Sequence, residues 1–146
     1  MQQEHYAVGD EEMEKMLFAL TNDYGMDAEC LSRLLGVNSN VIKNYKEHKN
    51  ELPSEFSERC SFFNVLLMLY NIPNEELDFK VKAFLDVLIN EDKISAETIA
   101  KFAKVKEQDV LDFLKSSDKV PIETKYRLAS VVMTLRLIFK TVEPKI

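Results

Sequence analysis

Residues 17–69 and 85–137 are two copies of one pattern, held at a constant separation of 68 positions without a gap. Eleven of the 53 aligned pairs are identical, several times what chance pairing gives. They include Leu17/Leu85, Leu20/Leu88, Asn22/Asn90, Ala28/Ala96, Glu29/Glu97, Val37/Val105, Pro53/Pro121, Glu55/Glu123 and Arg59/Arg127. Further pairs keep their character: Met26/Ile94, Leu31/Ile99, Arg33/Lys101, Ile42/Val110 and Tyr45/Phe113. Self-similarity at a fixed period makes each copy a structural unit, so whatever folds one copy must also fold the other. The expected boundary is Pro73-Asn74, giving units over residues 1–73 and 74–146.

Each copy must be helical. Three glycines and four prolines in 146 residues leave too few turn formers for a set of β-hairpins, while 46% hydrophobic residues suffice for a core. In the first copy, helical spacing begins with Met13, Met16, Leu17 and Leu20 and ends near Gly25. Asp27 is placed to cap a second helix with Leu31, Leu34 and Leu35 on one face, stopped by Gly36. A third helix is expected from Asn38 to Lys49. A fourth is expected from Pro53 to Tyr70, its inner stripe made of Phe56, Cys60, Phe63, Leu66, Leu67 and Tyr70. The second copy repeats the order near 75–91, 95–103, 106–116 and 121–141, with Ser95 and Pro121 standing where Asp27 and Pro53 did. Residues 1–10 read as a loose end and 142–146 as a tail. The fold class is therefore all-α, two tandem four-helix units.

Several functions are disfavoured. No apolar run approaches the roughly 20 residues of a membrane span, and the N-terminus lacks a signal-peptide pattern, so a cytoplasmic protein without a membrane partner is expected. Cys30 and Cys60 fall on apolar helical positions and read as reduced core cysteines. With His5 and His48 remote in sequence, no zinc site and no cofactor are expected. Only Gly9, Gly25 and Gly36 are available, so there is no phosphate loop, and no nucleophile–base pair can be assembled. An enzyme is not expected.

The informative stretch runs from Asp27 to Tyr45. It resembles a helix-turn-helix of the repressor type. That family places an apolar residue five positions before a turn glycine, a small residue four before it, and apolar residues one, six and nine after it. Leu31, Ser32, Gly36, Val37, Ile42 and Tyr45 fill those positions, and Ile99, Ala100, Lys104, Val105, Val110 and Phe113 fill them again. Two short helices crossing steeply need a small residue at their contact and an apolar set to lock the corner. Lys104 in place of the glycine makes the second turn either strained or differently built. The long fourth helix is similar to that of phage-repressor-like domains, and the tandem arrangement to helix-turn-helix proteins of low-GC Gram-positive bacteria.

The resemblance implies that the start of the third helix faces the major groove of double-stranded DNA. In the first copy Asn38, Ser39, Asn40, Lys43, Asn44 and Lys46 are outward, with Arg33 and Lys49 as flanking cations. From Arg33 to Asn50 there are four basic residues and one acid, a local +3 suited to phosphate. Asn pairs with adenine, and Ser and Lys reach base edges or phosphates. The second copy carries Lys106-Glu107-Gln108-Asp109 there. From Lys101 to Asp118 its four lysines are cancelled by four acids. A structural or homodimer-forming role is expected for it, through a last helix with more apolar residues than one face needs. The leading reading is a DNA-binding regulator; its rival is a protein-interaction module on the same fold. Under the rival, the polar third helix is a solvated face, Asn38 is only a cap, and Lys43 and Lys46 pair with Glu47. The aromatics Tyr45, Phe56, Phe62, Phe63 and Tyr70 read as core.

Overall fold

The structure, a computed structural model, describes residues 9–142. The loose end expected at 1–8 and the tail at 143–146 lie outside them. Among the described residues every regular element is helical, and the chain divides into two compact units, 1–75 and 76–146.

In the first unit, α1 (Asp10–Phe18) starts on Asp10, Glu11 and Glu12, which complement the positive helix end, and runs into a π-turn at Ala19–Asp23. α2 (Ala28–Leu35) is capped by Asp27, whose carboxylate accepts from the Glu29 and Cys30 N–H groups at 2.9 and 3.2 Å. Gly36 ends it in the left-handed region, φ +67°. Then follow α3 (Ser39–Lys43), α4 (Tyr45–His48), a 3₁₀ turn at Lys49–Glu51 and α5 (Phe56–Asn71). The core joins Met13, Met16, Leu17, Leu20, Leu31, Leu35, Val41, Ile42, Tyr45, Phe62 and Leu66. In the second unit, α6 (Phe79–Asn90), α7 (Ala96–Ala103), α8 (Glu107–Ser116) and α9 (Ile122–Val142) bury Leu85, Leu88, Ile99, Ala100, Val110, Phe113, Leu128 and Val132. Ser95 caps α7, accepting from the Thr98 N–H at 3.1 Å.

Four expectations need correction. The third helix of the first unit is not continuous. Asn44 (φ −149°, ψ 85°) breaks it, its N–H closing α3 on the Asn40 carbonyl and its side-chain oxygen accepting from the Glu47 N–H to restart α4. Asn is a preferred cap, and here it wins over helix continuation. Leu34 is exposed, one step off the face of Leu31 and Leu35. α6 begins at Phe79, four residues later than read. Pro53 does not open α5: Glu55 is its N-cap, accepting from the Arg59 N–H, whereas Pro121 itself holds that position for α9.

This last difference shifts the register of the repeat. The caps Glu55 and Pro121 are 66 apart, and so are the buried pairs Phe62/Leu128 and Leu66/Val132. Up to Tyr45/Phe113 the buried positions agree at 68. The segment joining third to fourth helix is two residues longer in the first unit, where the chain breaks at Asn44. Sequence identities beyond it, such as Leu67/Leu135, are therefore not equivalent positions in the fold. The inner face of α5 is Phe62 and Leu66, flanked by Phe63, Val65, Leu69 and Tyr70, while Phe56 is 83% exposed. Leu66→Ala is expected to cost about 2–5 kcal/mol. Thr134→Ala, its partner at 68 but an exposed position, should cost less than about 0.5 kcal/mol. Urea unfolding of both variants distinguishes the two registers.

Lys125 Nζ donates to Asp78 Oδ2 at 2.8 Å, tying the start of α9 to the start of α6 with both side chains half-buried. This bond, with help from Ser117, holds the Asp78 carboxyl below the usual aspartate range. A carboxyl depressed in the fold contributes stability at neutral pH that is lost as the pH falls from the ordinary aspartate range through the depressed value. Asp78→Asn should lower stability near pH 7 by about 1–2 kcal/mol and flatten the acid limb of a stability–pH curve; an unchanged limb rejects the assignment.

Candidate nucleic-acid interface

The α2–α3 corner is built from the residues the repeat shares. Ser32 is buried where the helices approach, its hydroxyl satisfied by donation to the Glu29 carbonyl at 2.8 Å. The Val37 N–H donates to the Ser32 carbonyl at 3.1 Å, closing the turn around Gly36. The second unit repeats the geometry: the Val105 N–H donates to the Ala100 carbonyl at 3.0 Å around Lys104, φ +57°. The turn is thus the same turn, carried by a residue with a Cβ. The preceding turn behaves alike, with Gly25 at φ +65° and Lys93 at φ +60°.

The corner leaves the first turn of α3 outward. Asn38 caps it, its side-chain oxygen accepting from the Asn40 N–H at 2.9 Å. Its capping role is therefore real, and only its NH₂ group stays available. Ser39 is half-buried; Asn40 and Lys43 are exposed, as is Arg33 in the last turn of α2. Among the described residues Arg33 and Lys43 make no ion pair. Asn44 is exposed but its side chain is engaged in the chain break.

The break carries Lys46 and Lys49 away from α3 and toward α1. Lys46 lies 3.4 Å from Glu14 Oε2, and Lys49 donates to Asp10 Oδ2 at 2.7 Å, a bond that raises the lysine pKa. The expected pairing with Glu47 gives way to these longer-range pairs. Between α1 and the third-helix segments lies a groove of about 620 Å³ whose rim mixes Glu11, Glu14, Lys15, Lys43 and Asn44 around Phe18. The positive surface of the first unit is therefore short, covering α3 and the end of α2, and is bounded by carboxylates. Asp10 and Glu14 are the site residues that the sequence reading missed. They lie more than 30 positions from their partners, and no local pattern links them.

The charge of the units points the same way. Residues 1–75 carry six basic and thirteen acidic residues, a net −7; residues 76–146 carry thirteen and twelve, a net +1. In the second unit the acids of α8 are structural. The Asp109 carboxylate accepts from the Lys106 N–H at 3.0 Å, and the Asp112 carboxylate from the Gln108 amide at 2.8 Å. Asp109 stands at the position that Val41 fills in the first core. Lys101 is paired with Glu97 at 2.6 Å. α8 is continuous but presents no run of free cations.

A duplicated corner of two short helices around a left-handed turn is the hallmark geometry, and a family model described as a helix-turn-helix domain matches residues 8–145. The chain belongs to this helix-turn-helix family. The match spans both units rather than one. No curated protein and no solved structure matches the chain. Among the described residues, this helix-turn-helix protein has no helix long and apolar enough to cross a membrane, and no group of three or more His, Cys, Asp or Glu placed to hold a metal. Cys30 and Cys60 are free and partly buried.

A left-handed conformation costs a residue with a Cβ about 1–2 kcal/mol, partly offset in glycine by its larger entropy loss on folding. Lys104→Gly is therefore expected to stabilise the second unit by about 0.5–1 kcal/mol, read as a higher urea midpoint. An unchanged or lower midpoint would mean that the Lys104 side chain contributes as much as the strain takes away.

Proposed function

We propose that this protein is a non-enzymatic, DNA-binding transcriptional regulator of bacterial or phage type. It resembles the tandem helix-turn-helix proteins of low-GC Gram-positive bacteria and the phage-repressor-like domains, and works in the cytoplasm. The first unit is the reader and inserts the start of α3 into the major groove of double-stranded DNA. The observation that carries this reading is α3 with its cap, where Asn38, Ser39, Asn40 and Lys43 stand outward on a corner locked from beneath by Leu31, Val41, Ile42 and Tyr45. Asn40 has both amide groups available for adenine; Lys43 and Ser39 contact base edges or phosphate. Arg33 takes a flanking phosphate, and Lys46 and Lys49 add contacts that they share with Glu14 and Asp10. The second unit keeps the corner without this surface and serves as support.

The test is anisotropy of labelled duplexes, first enriched from a random pool, across a salt series. Lys43→Glu should weaken binding about tenfold or more and lower the salt slope by about 1. Lys46→Glu should weaken it less, because its cation is already partnered. Binding without salt dependence, or indifferent to Lys43→Glu, rejects the reading.

A second reading, a protein-interaction module on the helix-turn-helix fold, is favoured by the acidic pairs of α1 and the net −7 of the first unit. Phosphate approaching α3 meets Glu11 and Glu14 nearby, a repulsion that a basic or neutral protein surface would not feel. The exposed apolar face of α9 adds a contact surface of its own, for a homodimer or another chain.

A further inference from the structure

In each unit the first helix packs against the last part of the third-helix segment, α1 on α4 and α6 on α8. The two copies fill this seam differently. Lys49 opens the 3₁₀ turn after α4, and Ser117 opens the matching turn after α8, 68 positions on. Each reaches an aspartate at the start of its unit's first helix, and these aspartates, Asp10 and Asp78, are also 68 apart. Lys49 Nζ donates to Asp10 Oδ2 at 2.7 Å, while Ser117 assists Lys125 in holding the Asp78 carboxylate. One turn along the seam, Glu14 lies 3.4 Å from Lys46. The second unit has Lys82 and Leu114 at those two positions, lining one shallow groove. A hydroxyl and an apolar side chain therefore suffice where the first unit places two lysines, so the fold does not require cations here. Both lysine side chains are 52% exposed, and their acids are 41% and 39% exposed. Exposed pairs of this kind contribute little to stability, so a competing anion can take the lysine at small cost.

We infer that Asp10 and Glu14 form an autoinhibitory contact, an electrostatic brake on DNA binding. In the free protein they occupy Lys49 and Lys46, and on DNA they compete with phosphate for the same two cations. The inference rests on the DNA-binding reading of the first unit and adds a regulatory element to it. Phosphate neutralisation supplies the affinity that all duplex sequences share, so the brake acts on any duplex. The neutral side chains of α3, Ser39 and Asn40, lie outside it, and Lys43 makes no ion pair among the described residues. The brake thus sets the strength of binding and leaves sequence preference to α3.

The test uses the full chain, the enriched duplex and a duplex of scrambled sequence, titrated across a salt series. Asp10→Asn with Glu14→Gln removes two charges and keeps the side-chain shapes. It should tighten binding to both duplexes about five- to tenfold at low salt and steepen the salt slope by about 1–2. Glu12→Gln with Asp23→Asn makes the same change of net charge at two exposed acids of the same unit and should tighten binding less than about twofold. In a Lys46→Gln, Lys49→Gln background the gain from Asp10→Asn with Glu14→Gln should fall to that control level. Circular dichroism and melting check that every variant stays folded. Equal gains from the two acid pairs, a gain that survives removal of the lysines, or a gain confined to one duplex overturns the inference. If Lys43→Glu weakens binding while Asp10→Asn with Glu14→Gln changes neither affinity nor slope, the DNA-binding reading stands and the brake falls. If no variant binds either duplex, both fall.

Discussion

The corner between the second and third helices depends on one residue in the left-handed region. Without φ near +60° at that point the chain could not reverse in a single step, and Leu31 and Leu35 could not meet Ile42 and Tyr45. Both units meet the requirement at the same place, one with Gly36 and the other with Lys104. They do so again one turn earlier, where the Met26 N–H bonds the Leu20 carbonyl and the Ile94 N–H the Leu88 carbonyl. That lysine occupies both left-handed positions of the second unit shows the backbone path to be dictated by the surrounding core, which imposes a conformation that the residue itself disfavours.

Once the corner is set, the rest divides into a conserved inside and a free outside. The buried pairs Leu17/Leu85, Leu20/Leu88, Leu31/Ile99, Ile42/Val110 and Tyr45/Phe113 stay large and apolar because they pack into equivalent corners, whereas Leu35/Ala103 and Val41/Asp109 do not keep that character. The residues at 38–40 and 106–108 lie outside the buried core of their own unit and bond only within their own helix segment, so Asn-Ser-Asn and Lys-Glu-Gln are both compatible with the fold. Here the two units acquired different electrostatics. Asp109, next along α8, serves its own helix as a cap. The acids near α3 come instead from α1, where they stabilise a helix start and also draw Lys46 and Lys49 toward them.

Most of the fold was legible in the sequence. The periodicity located the helices, and the caps Asp27, Asn38 and Ser95 and the stop at Gly36 mark their ends by local chemistry that needs no tertiary context. The break at Asn44 was legible too, since Asn44 with Glu47 three residues later is a capping pattern, but the apolar spacing Val41, Ile42, Tyr45 continues through it and masks it. The ungapped repeat misled for the fourth helix. Chance identities carried the alignment past a two-residue length difference, and a shift of two on a helix turns the inner face by more than half a turn. Within α5 the apolar spacing of Phe56 and Cys60 points to an inner stripe, whereas Phe62 and Leu66 form it and Phe56 is exposed.

The candidate site was legible only in its local part. Asn38, Ser39, Asn40 and Lys43 lie within six residues, and their outward placement follows from the burial of Val41 and Ile42 between them. The net charge around them was not legible, because Asp10 and Glu14 reach the third-helix segments across the tertiary fold. By itself the sequence determined the helices, the duplicated corner and the helix-turn-helix class, since all rest on spacings within about 20 residues. The tertiary structure alone decided which lysines are partnered, where the repeat loses register and which face of α9 remains uncovered. Coulombic pairing and packing act through space and leave no periodic trace along the chain.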